Sequence, residues 1–193
     1  MDLTILKKIE IDVGKVFVDN KLDFQFASDE EFRISKFLKA VYKNYGIKYP
    51  KYFKMDNLSK LGFLSAEILL KDVDLSKHKV ENIAQIYINS ESTFETDEKF
   101  YETVKDPGNF YPSPSIFVYT LPNIMMGEIS IRNGFKGENT FYVSEKFDKD
   151  FLFDSVKTLF NNSKTTLCLA GWIDLNGYDL HSEVYLTQKI RVL

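Results

Sequence analysis

Few side chains in this sequence could carry out covalent or acid–base chemistry. There is one cysteine, Cys168, within an apolar run, and there are two histidines, His78 and His181. A general acid or base must lie within hydrogen-bond reach of the reacting atom, and neither histidine stands in a spacing that provides this. We therefore expect Cys168 to pack in the core and both histidines to be solvated.

Two further reactive residue types occur close together after position 143. Ser144 can act as a nucleophile if a base is adjacent, and Lys146 can form a Schiff base if it is desolvated. Lys146 lies between Glu145 and Asp148, which favours a solvated ion pair. Ser144 is expected to cap a helix or to end a strand.

A group of acidic residues raises the question of a metal site. Its members are Glu91, Glu95, Asp97 and Glu98. The group contains no histidine or cysteine, and acids suit the first turn of a helix, so we expect Thr96 or Asp97 to cap a short helix. No metal and no other cofactor is predicted.

The stretch from Pro112 to Val143 carries several motifs in order. It reads PSPSIFVYTLPNIMMGEISIRNGFKGENTFYV, so a loop rich in proline and serine leads to LPN, GEI and GxxxT. The segment MDNLSKL begins upstream at Met55, and LCLAGWID ends downstream at Asp174. In this order the motifs resemble the β-ketoacyl synthases of the thiolase superfamily, from about Met55 to Asp174.

The resemblance implies an α/β fold. The expected architecture is a thiolase-like half with a mixed, mostly parallel central sheet and helices on both faces. We predict that residues 1–193 form a single domain similar to the N-terminal half of a β-ketoacyl synthase. The second half of such enzymes, with its assisting His or Asn residues, is expected to be absent, because 193 residues suffice for about one half.

In the family that the chain resembles, the catalytic cysteine begins a helix shortly after the strand that follows GxxxT. Counting forward from Val143 places Phe147 at the nucleophile position, whereas counting back from Gly171 places Lys146 there. A helix start lowers the pKa of a thiol, but neither residue is a cysteine. No catalytic residue is therefore assigned, and Ser144 remains as an alternative nucleophile.

The resemblance also implies an interface and partners. Thiolase-fold proteins pair through the strand beside the nucleophile, across a two-fold axis. The corresponding interface residues are Asn139, Thr140, Phe141, Tyr142, Val143 and Ser144. The expected partner is a second copy or a catalytic ketosynthase, with acyl-carrier protein as a further candidate.

Aromatic residues are abundant, with 17 Phe and 11 Tyr. Those near the Pro-Ser loop, Phe117 and Tyr119, and the following Asn123 are candidates for binding an acyl or polyene chain. Packing in the core or in a dimer is the alternative explanation. Trp172 stands where the resembled family prefers glycine, which indicates a tunnel or turn filled by side chains.

Hydrophobic periodicity predicts alternating strands and helices. Strands are expected at 9–17 with a bulge at Gly14, at 83–88, around Phe141 and Leu167, and at 184–192. Helices are expected from a capping box at Ser28 and Glu31 through Tyr42, and at 56–70, 96–104, 121–133 and 149–160. The last strand is predicted at a sheet edge, with Val184, Leu186 and Ile190 inward and His181, Lys189 and Arg191 facing water.

Composition narrows the function classes. Hydrophobic residues make up 44% and charged residues 27%, which suits a packed domain. The net charge is −3 with both signs interspersed, so nucleic acid is not an expected partner. No apolar run approaches the roughly 18 residues of a membrane span and the first residues do not read as a signal peptide, so we expect no membrane partner and a cytoplasmic location.

These observations favour a non-catalytic ketosynthase-like subunit, comparable to a chain length factor, in fatty-acid or polyketide chain building. One alternative is an acyl-thioester enzyme that uses Ser144 or a site completed by a partner chain. Another is a module that binds an acyl chain without turnover, which would need an open apolar tunnel.

Overall fold

The computed structural model describes residues 3–27, 32–177 and 179–190. The strands in these ranges are β1 (Leu3–Asp12), β2 (Lys15–Val18), β3 (Lys21–Gln25), β4 (Ile83–Asn89), β5 (Asn139–Val143), β6 (Leu167–Asn176) and β7 (Asp179–Lys189). The α-helices are α1 (Ile34–Asn44), α2 (Asn57–Leu70), α3 (Phe94–Glu102), α4 (Pro114–Phe117), α5 (Asn123–Asn133) and α6 (Lys149–Asn162). Short 3₁₀ helices lie at Pro50–Lys54, Leu75–Lys77, Val80–Asn82 and Val118–Thr120. No helix in the described ranges is long and apolar enough to cross a membrane.

The strands form one mixed sheet in the order β3-β2-β1-β7-β6-β4-β5. Strand β4 pairs in parallel with both β5 and β6, and the remaining neighbours are antiparallel. The α/β class and the mixed sheet are confirmed. Parallel pairing is confined to β5, β4 and β6, because the β6–β7 and β1–β2–β3 connections are short hairpins that reverse the chain.

One face of the sheet, the first face, is covered by α1, α2 and α5. Helix α2 has buried residues around its whole circumference, eleven of its 14 positions, as expected for a helix enclosed between a sheet and other helices. Asp56 caps its start by accepting a bond from the Ser59 N–H at 3.0 Å. The Lys7 ammonium from β1 donates to the carbonyls of Ile68 and Lys71 at its end.

The opposite, second face is covered by α6. Leu152, Val156 and Phe160 of this helix pack on the apolar side chains of β4, β6 and β7. Cys168 belongs to this cluster and is fully buried, as predicted. Helices therefore lie on both faces of the sheet, and α6 fixes the position of the loop that precedes it.

Several local expectations require correction. The predicted strand at 9–17 is a hairpin, because Gly14 adopts a left-handed φ of +74° between β1 and β2. Helix α3 starts at Phe94 rather than at Thr96 or Asp97, since Thr93 is its first boundary residue. The capping box at Ser28 and Glu31 lies outside the described residues.

The last strand was predicted at an edge, and this is wrong. Strand β7 lies between β1 and β6, and Val184 and Leu186 are fully buried. It is interior because β1, the first strand of the chain, pairs with its outer side. His181 and Lys189 are half-buried rather than solvated, Ile190 is exposed, and Arg191 lies outside the described residues.

Strands β6 and β7 approach each other closely at Gly171. A Cβ atom there would lie 2.2 Å from the Glu183 carbonyl oxygen and 2.7 Å from the Val184 Cα. Both atoms belong to the backbone, so the strands would have to separate. Gly127 in α5 offers a contrast, since a Cβ there would meet no atom within 4 Å.

We predict opposite effects of alanine at these two glycines. Gly171→Ala should lower the free energy of unfolding by about 3 kcal/mol, because it forces the paired backbones apart. Gly127→Ala should raise it by about 0.5–1 kcal/mol through helix propensity. Urea denaturation of both variants and the wild type measures the difference, and a neutral Gly171→Ala would contradict the β6–β7 contact.

Candidate functional site

The candidate site lies where the three parallel strands end. The carboxyl ends of β4, β5 and β6 lie side by side at one end of the strands, which is the usual position of a ligand site in an α/β sheet. The Ser144 N–H donates to the Asn89 carbonyl at 2.9 Å and continues the β4–β5 ladder. Residues 144–148 then connect β5 to the start of α6, and we call them the nucleophile loop.

The reactive side chains of the nucleophile loop have no catalytic partners. The Ser144 hydroxyl donates to the Lys146 carbonyl at 3.2 Å. Among the described residues, no His, Asp or Glu forms a hydrogen bond with it. Lys146 is exposed, and the ion pair predicted with Glu145 or Asp148 does not form. Neither residue therefore has the environment that would activate it.

Phe147 fills the space behind the loop. Its ring stacks on the indole of Trp172, with 5.6 Å between centroids and an angle of 26°. Trp172 comes from β6 and is only 6% exposed. The Lys149 ammonium lies 5.6 Å from the centre of the Phe147 ring. Side chains thus occupy the volume beside the loop, as the sequence indicated for Trp172.

The start of α6 carries its own capping residue, Asp148. The Asp148 carboxylate accepts a bond from the Phe151 N–H at 3.0 Å. A nucleophilic anion at a helix start relies on these same unpaired N–H groups. Here the Asp148 carboxylate pairs one of these groups, the Phe151 N–H, and Ser144 is a strand-end hydroxyl rather than the helix cap.

A buried carboxylate behind the loop was missed by the sequence analysis. Glu183 of β7 has a side chain only 7% exposed, and it lies 3.0 Å from the Lys8 ammonium and 2.7 Å from the Lys149 ammonium. The Tyr185 hydroxyl also donates to it. The Lys149, Tyr185 and Lys8 donors outweigh the burial penalty and lower the pKa of Glu183 to about 2.

This cluster connects three elements that are distant in sequence. Lys8 belongs to β1, Glu183 and Tyr185 to β7, and Lys149 to the first turn of α6. Lys8 also forms an ion pair with Glu10 at 2.9 Å, so the Lys8 ammonium is shared between the carboxylates of Glu183 and Glu10. A glutamate directly before the apolar run VYL was the available signal in the sequence.

The histidines stand apart from the nucleophile loop. His78 Nδ1 lies 2.8 Å from the Thr166 hydroxyl, next to the amino ends of β4 and β6. His181 is opposite Asp174 in the β6–β7 register, and Asp174 accepts bonds from the Ser90 N–H and hydroxyl. Neither histidine contacts Ser144. Burial raises the pKa of the Cys168 thiol, which disfavours the reactive thiolate.

The four acidic residues considered for a metal are dispersed. Glu91 accepts a bond from the Asn176 amide, Glu95 pairs with Lys99, and Asp97 accepts from the Thr93 hydroxyl. Within the described ranges, no three His, Cys, Asp or Glu residues converge on a point that could hold a metal ion.

The three candidates for acyl binding are not brought together at the loop. Phe117 is half exposed and contacts the Phe100 ring at 5.3 Å. Tyr119 is buried and lines a separate cavity of about 260 Å³ beside the start of α2, and Asn123 is exposed at the first residue of α5. No described contact joins any of them to Ser144 or Phe147.

Strand β5 forms one edge of the sheet. The Glu138 carbonyl accepts a hydrogen bond from the Gln85 N–H, and the Ser144 N–H donates to the Asn89 carbonyl. Every second residue between Glu138 and Ser144 therefore also directs its peptide groups toward β4. It follows that Asn139, Phe141 and Val143 direct their N–H and C=O groups to the free edge. Beside this edge, the Tyr142 and Phe151 rings meet at 5.1 Å, and Val143 is 58% exposed.

Several solved structures have a fold similar to that of this chain. The ishigamide ketosynthase/chain length factor aligns with a TM-score of 0.70 at 13% identity, over 98% of this chain and 62% of that chain. The chain has a thiolase-like, ketosynthase-like fold. The ketosynthase ApeO in complex with its chain length factor ApeC, from Xenorhabdus doucetiae, gives a TM-score of 0.63 at 13% identity, over 98% of this chain and 80% of that chain.

A third structure extends the comparison to a carrier-protein complex. It is AntDE:AntF, a type II polyketide synthase acyl-carrier protein in complex with its ketosynthase bound to the hexaketide, with a TM-score of 0.60 at 11% identity, over 97% of this chain and 62% of that chain. The ketosynthase-like chain thus spans about three fifths of the length of two of these three structures. No protein-family model and no curated protein sequence matches it.

The pH dependence of stability tests the Glu183 cluster. Because folding lowers its pKa from 4.5 to about 2, the charged carboxylate stabilises the fold fully above about pH 5, and this contribution is lost as the pH falls through about 2. Glu183→Gln should therefore cost about 3 kcal/mol at neutral pH. At about pH 3 the difference from the wild type should shrink by more than half.

Urea denaturation at the two pH values measures this difference. The matched control is Glu145→Gln, which removes an exposed carboxylate of the nucleophile loop and should have almost no effect. A Glu183→Gln deficit that stayed constant with pH would show that the charge of Glu183 is not what stabilises the cluster.

Proposed function

We propose that this chain is a non-catalytic, ketosynthase-like subunit that associates with a ketosynthase-type partner in fatty-acid or polyketide chain building. The observation that carries the proposal is the Phe147–Trp172 stack behind a loop that contains no activated nucleophile. An acyl chain transferred to this chain would have no thiolate to receive it. A pairing role requires no such group.

The free edge of β5 supports a pairing role. Its sequence, NTFYV, contains no charged residue and no proline, and the outward N–H and C=O groups of Asn139, Phe141 and Val143 can accept another strand. The exposed Tyr142 and Val143 and the neighbouring Phe151 would add apolar area to the contact. The proposed interface is therefore residues Asn139 to Ser144.

The opposite edge of the sheet lacks these properties. Strand β3 reads KLDFQ, and its charged Lys21 and Asp23 are the kind of residues that discourage edge pairing. The β2–β3 register is also irregular between Val16 and Phe17, which disturbs the ladder next to that edge. Pairing at β5 is thus favoured over pairing at β3.

Two of the fold neighbours agree with this proposal. The ishigamide and ApeO–ApeC structures are complexes of a ketosynthase with a chain length factor, and the AntDE:AntF structure includes an acyl-carrier protein. By analogy, we propose a ketosynthase as the partner of this chain and acyl-carrier protein as a further component. A homodimer through the same strand is the alternative assembly.

A lysine at the β5 edge should weaken the proposed interface. Val143→Lys places a charge beside the outward N–H and C=O groups, and pairing would have to desolvate it. We expect at least about a tenfold weaker association with a second copy or with a ketosynthase from the same source. Light scattering after size-exclusion chromatography, with the chain alone and with each candidate partner, measures the change.

The matched control lies at the other edge. Leu22 of β3 is 53% exposed, so Leu22→Lys introduces the same charge at an equally exposed edge position and should leave association unchanged. If both variants associate like the wild type, β5 is not the interface. If only Leu22→Lys is impaired, the assignment of the two edges is reversed.

Substitution of Ser144 separates a pairing subunit from an enzyme. In a reconstituted chain-elongation assay with ketosynthase and acyl-carrier protein, Ser144→Ala should retain activity within about twofold, because its hydroxyl has no base. Phe147→Ala serves as the comparison that opens the site without adding a nucleophile. A loss of about a hundredfold or more in Ser144→Ala alone would support the acyl-thioester enzyme instead.

A further inference from the structure

A second cavity, of about 530 Å³, lies next to the amino ends of β4 and β6. Strand β4 has seven residues with a rise of about 3.3 Å each, so this cavity and the nucleophile loop lie about 20 Å apart along the sheet. The proposed function uses none of its lining residues. These are three side chains that carry or can carry a positive charge, three neutral side chains that form hydrogen bonds, and one apolar side chain: Lys77, His78 and Lys189, then Thr4, Thr166 and Gln188, and Ile190.

Among the described residues, no carboxylate lines this cavity. Three other cavities in the described part of the chain each contain at least one. They contain Glu67 of α2, the capping residue Asp56, and Asp150 with Asp154 of α6. The cavity at the amino ends thus has a positive lining without an acid in it, which favours an anionic ligand.

Lys189 is held in place by the end of α6. Its ammonium group donates to the Phe160 carbonyl and lies 3.5 Å from the Ser163 carbonyl. An ammonium group has three N–H donors, so one remains for a ligand. The last carbonyls of a helix together carry about half a negative charge, so Lys189 still contributes about half a positive charge to the cavity.

His78 and Thr166 form a second fixed part of the lining. The Nδ1 atom of His78 lies 2.8 Å from the Thr166 hydroxyl. The Thr166 N–H donates to the Asn82 carbonyl, and the Thr166 carbonyl accepts from the Lys189 N–H at 3.1 Å. Because these residues are tied to the ends of the strands, a ligand would not have to order them, and binding loses little conformational entropy.

Lys77 is the adaptable member of the lining. Its side chain is 75% exposed, and its ammonium lies 3.5 Å from the Asp74 carboxylate. An exposed ion pair of this kind is weak, so Lys77 can turn from Asp74 to a ligand at little cost in free energy.

These side chains favour a phosphate over other anions. Lysine binds phosphate as a point charge, whereas the planar carboxylate is best matched by the fork of an arginine, and no described lining residue is an arginine. No aromatic side chain is among the described lining residues either, so a nucleotide base would have no ring to stack on. The volume is that of a small-molecule site and leaves room for a polar body beside the phosphate.

We propose that this cavity binds a small, polar phosphate ester such as a sugar phosphate. The phosphate would lie between Lys77, His78 and Lys189, and the sugar hydroxyls would bond to the side chains of Thr4 and Gln188. The proposal goes beyond the proposed function and does not depend on it. No residue of β5 lines the cavity, so the ligand can bind whether or not β5 is paired.

The test is an NMR titration of the ¹⁵N-labelled chain with glucose 6-phosphate in about 0.15 M NaCl. The Kd should be below about 1 mM, and the amide signals of Lys77, His78 and Thr166 should shift while those of residues 144–148 do not. Glucose, which lacks the phosphate, should bind at least about tenfold more weakly. Glucuronate, which carries a carboxylate instead, should also bind at least about tenfold more weakly.

Charge variants locate the site. Lys77→Glu should raise the Kd at least about tenfold, because it puts a negative charge beside the phosphate, and His78→Gln should raise it about threefold or more. Lys146→Glu in the nucleophile loop makes the same charge reversal at the other end of the sheet and should change the Kd less than twofold. Lys189 is left intact, because its bond to the Phe160 carbonyl also supports α6. Circular dichroism confirms that each variant is folded.

Four outcomes would overturn the proposal. The first is an absence of shifts up to about 10 mM glucose 6-phosphate, and the second is that Lys77→Glu and His78→Gln both bind like the wild type. The third is that glucose or glucuronate binds as well as glucose 6-phosphate, which would show that phosphate is not recognised. The fourth is a loss of binding in Lys146→Glu alone, which would move the site to the nucleophile loop. All four leave the β5 proposal standing, because the comparison of Val143→Lys with Leu22→Lys tests association without this ligand.

Discussion

The neutralisation of one buried carboxylate sets the arrangement of this molecule around the candidate site. Glu183 is isolated from solvent, so its charge is tolerated only while Lys8, Lys149 and the Tyr185 hydroxyl surround it. These donors come from the first strand, the last strand and the helix on the second face. Satisfying the charge therefore fixes β1 next to β7 and holds the start of α6 against the sheet.

The position of α6 in turn determines what the nucleophile loop can do. With the helix start held at Lys149, Phe147 is directed onto Trp172, and Asp148 takes the free N–H group of Phe151. Two features would activate a nucleophile here, open space and unpaired N–H groups at a helix start. The Phe147 ring fills the space, and the Asp148 carboxylate pairs one of the N–H groups.

Because side chains fill the space behind the nucleophile loop, the features that could serve the proposed function lie on the two edges of the sheet. Strand β5 has outward peptide groups and no charged side chain, while β3 at the opposite edge carries Lys21 and Asp23. The ketosynthase-like fold alone does not establish a role, since similar folds support different functions. The role proposed here rests on the difference between these two edges and on the absence of an activated group in the loop.

The sequence by itself determined the local features. Periodicity located the helices at 57–70 and 149–162 and the strand at 83–89 almost to the residue, and the identity of Phe147 and Lys146 excluded a thiolate nucleophile at either position. Tertiary structure decided the interior place of β7, the cations around Glu183, the contact of Phe147 with Trp172 and the free edge of β5. These features arise from pairing between segments far apart in the chain, such as Lys8 with Glu183, and local periodicity carries no information about which distant segment a strand or a charge will meet.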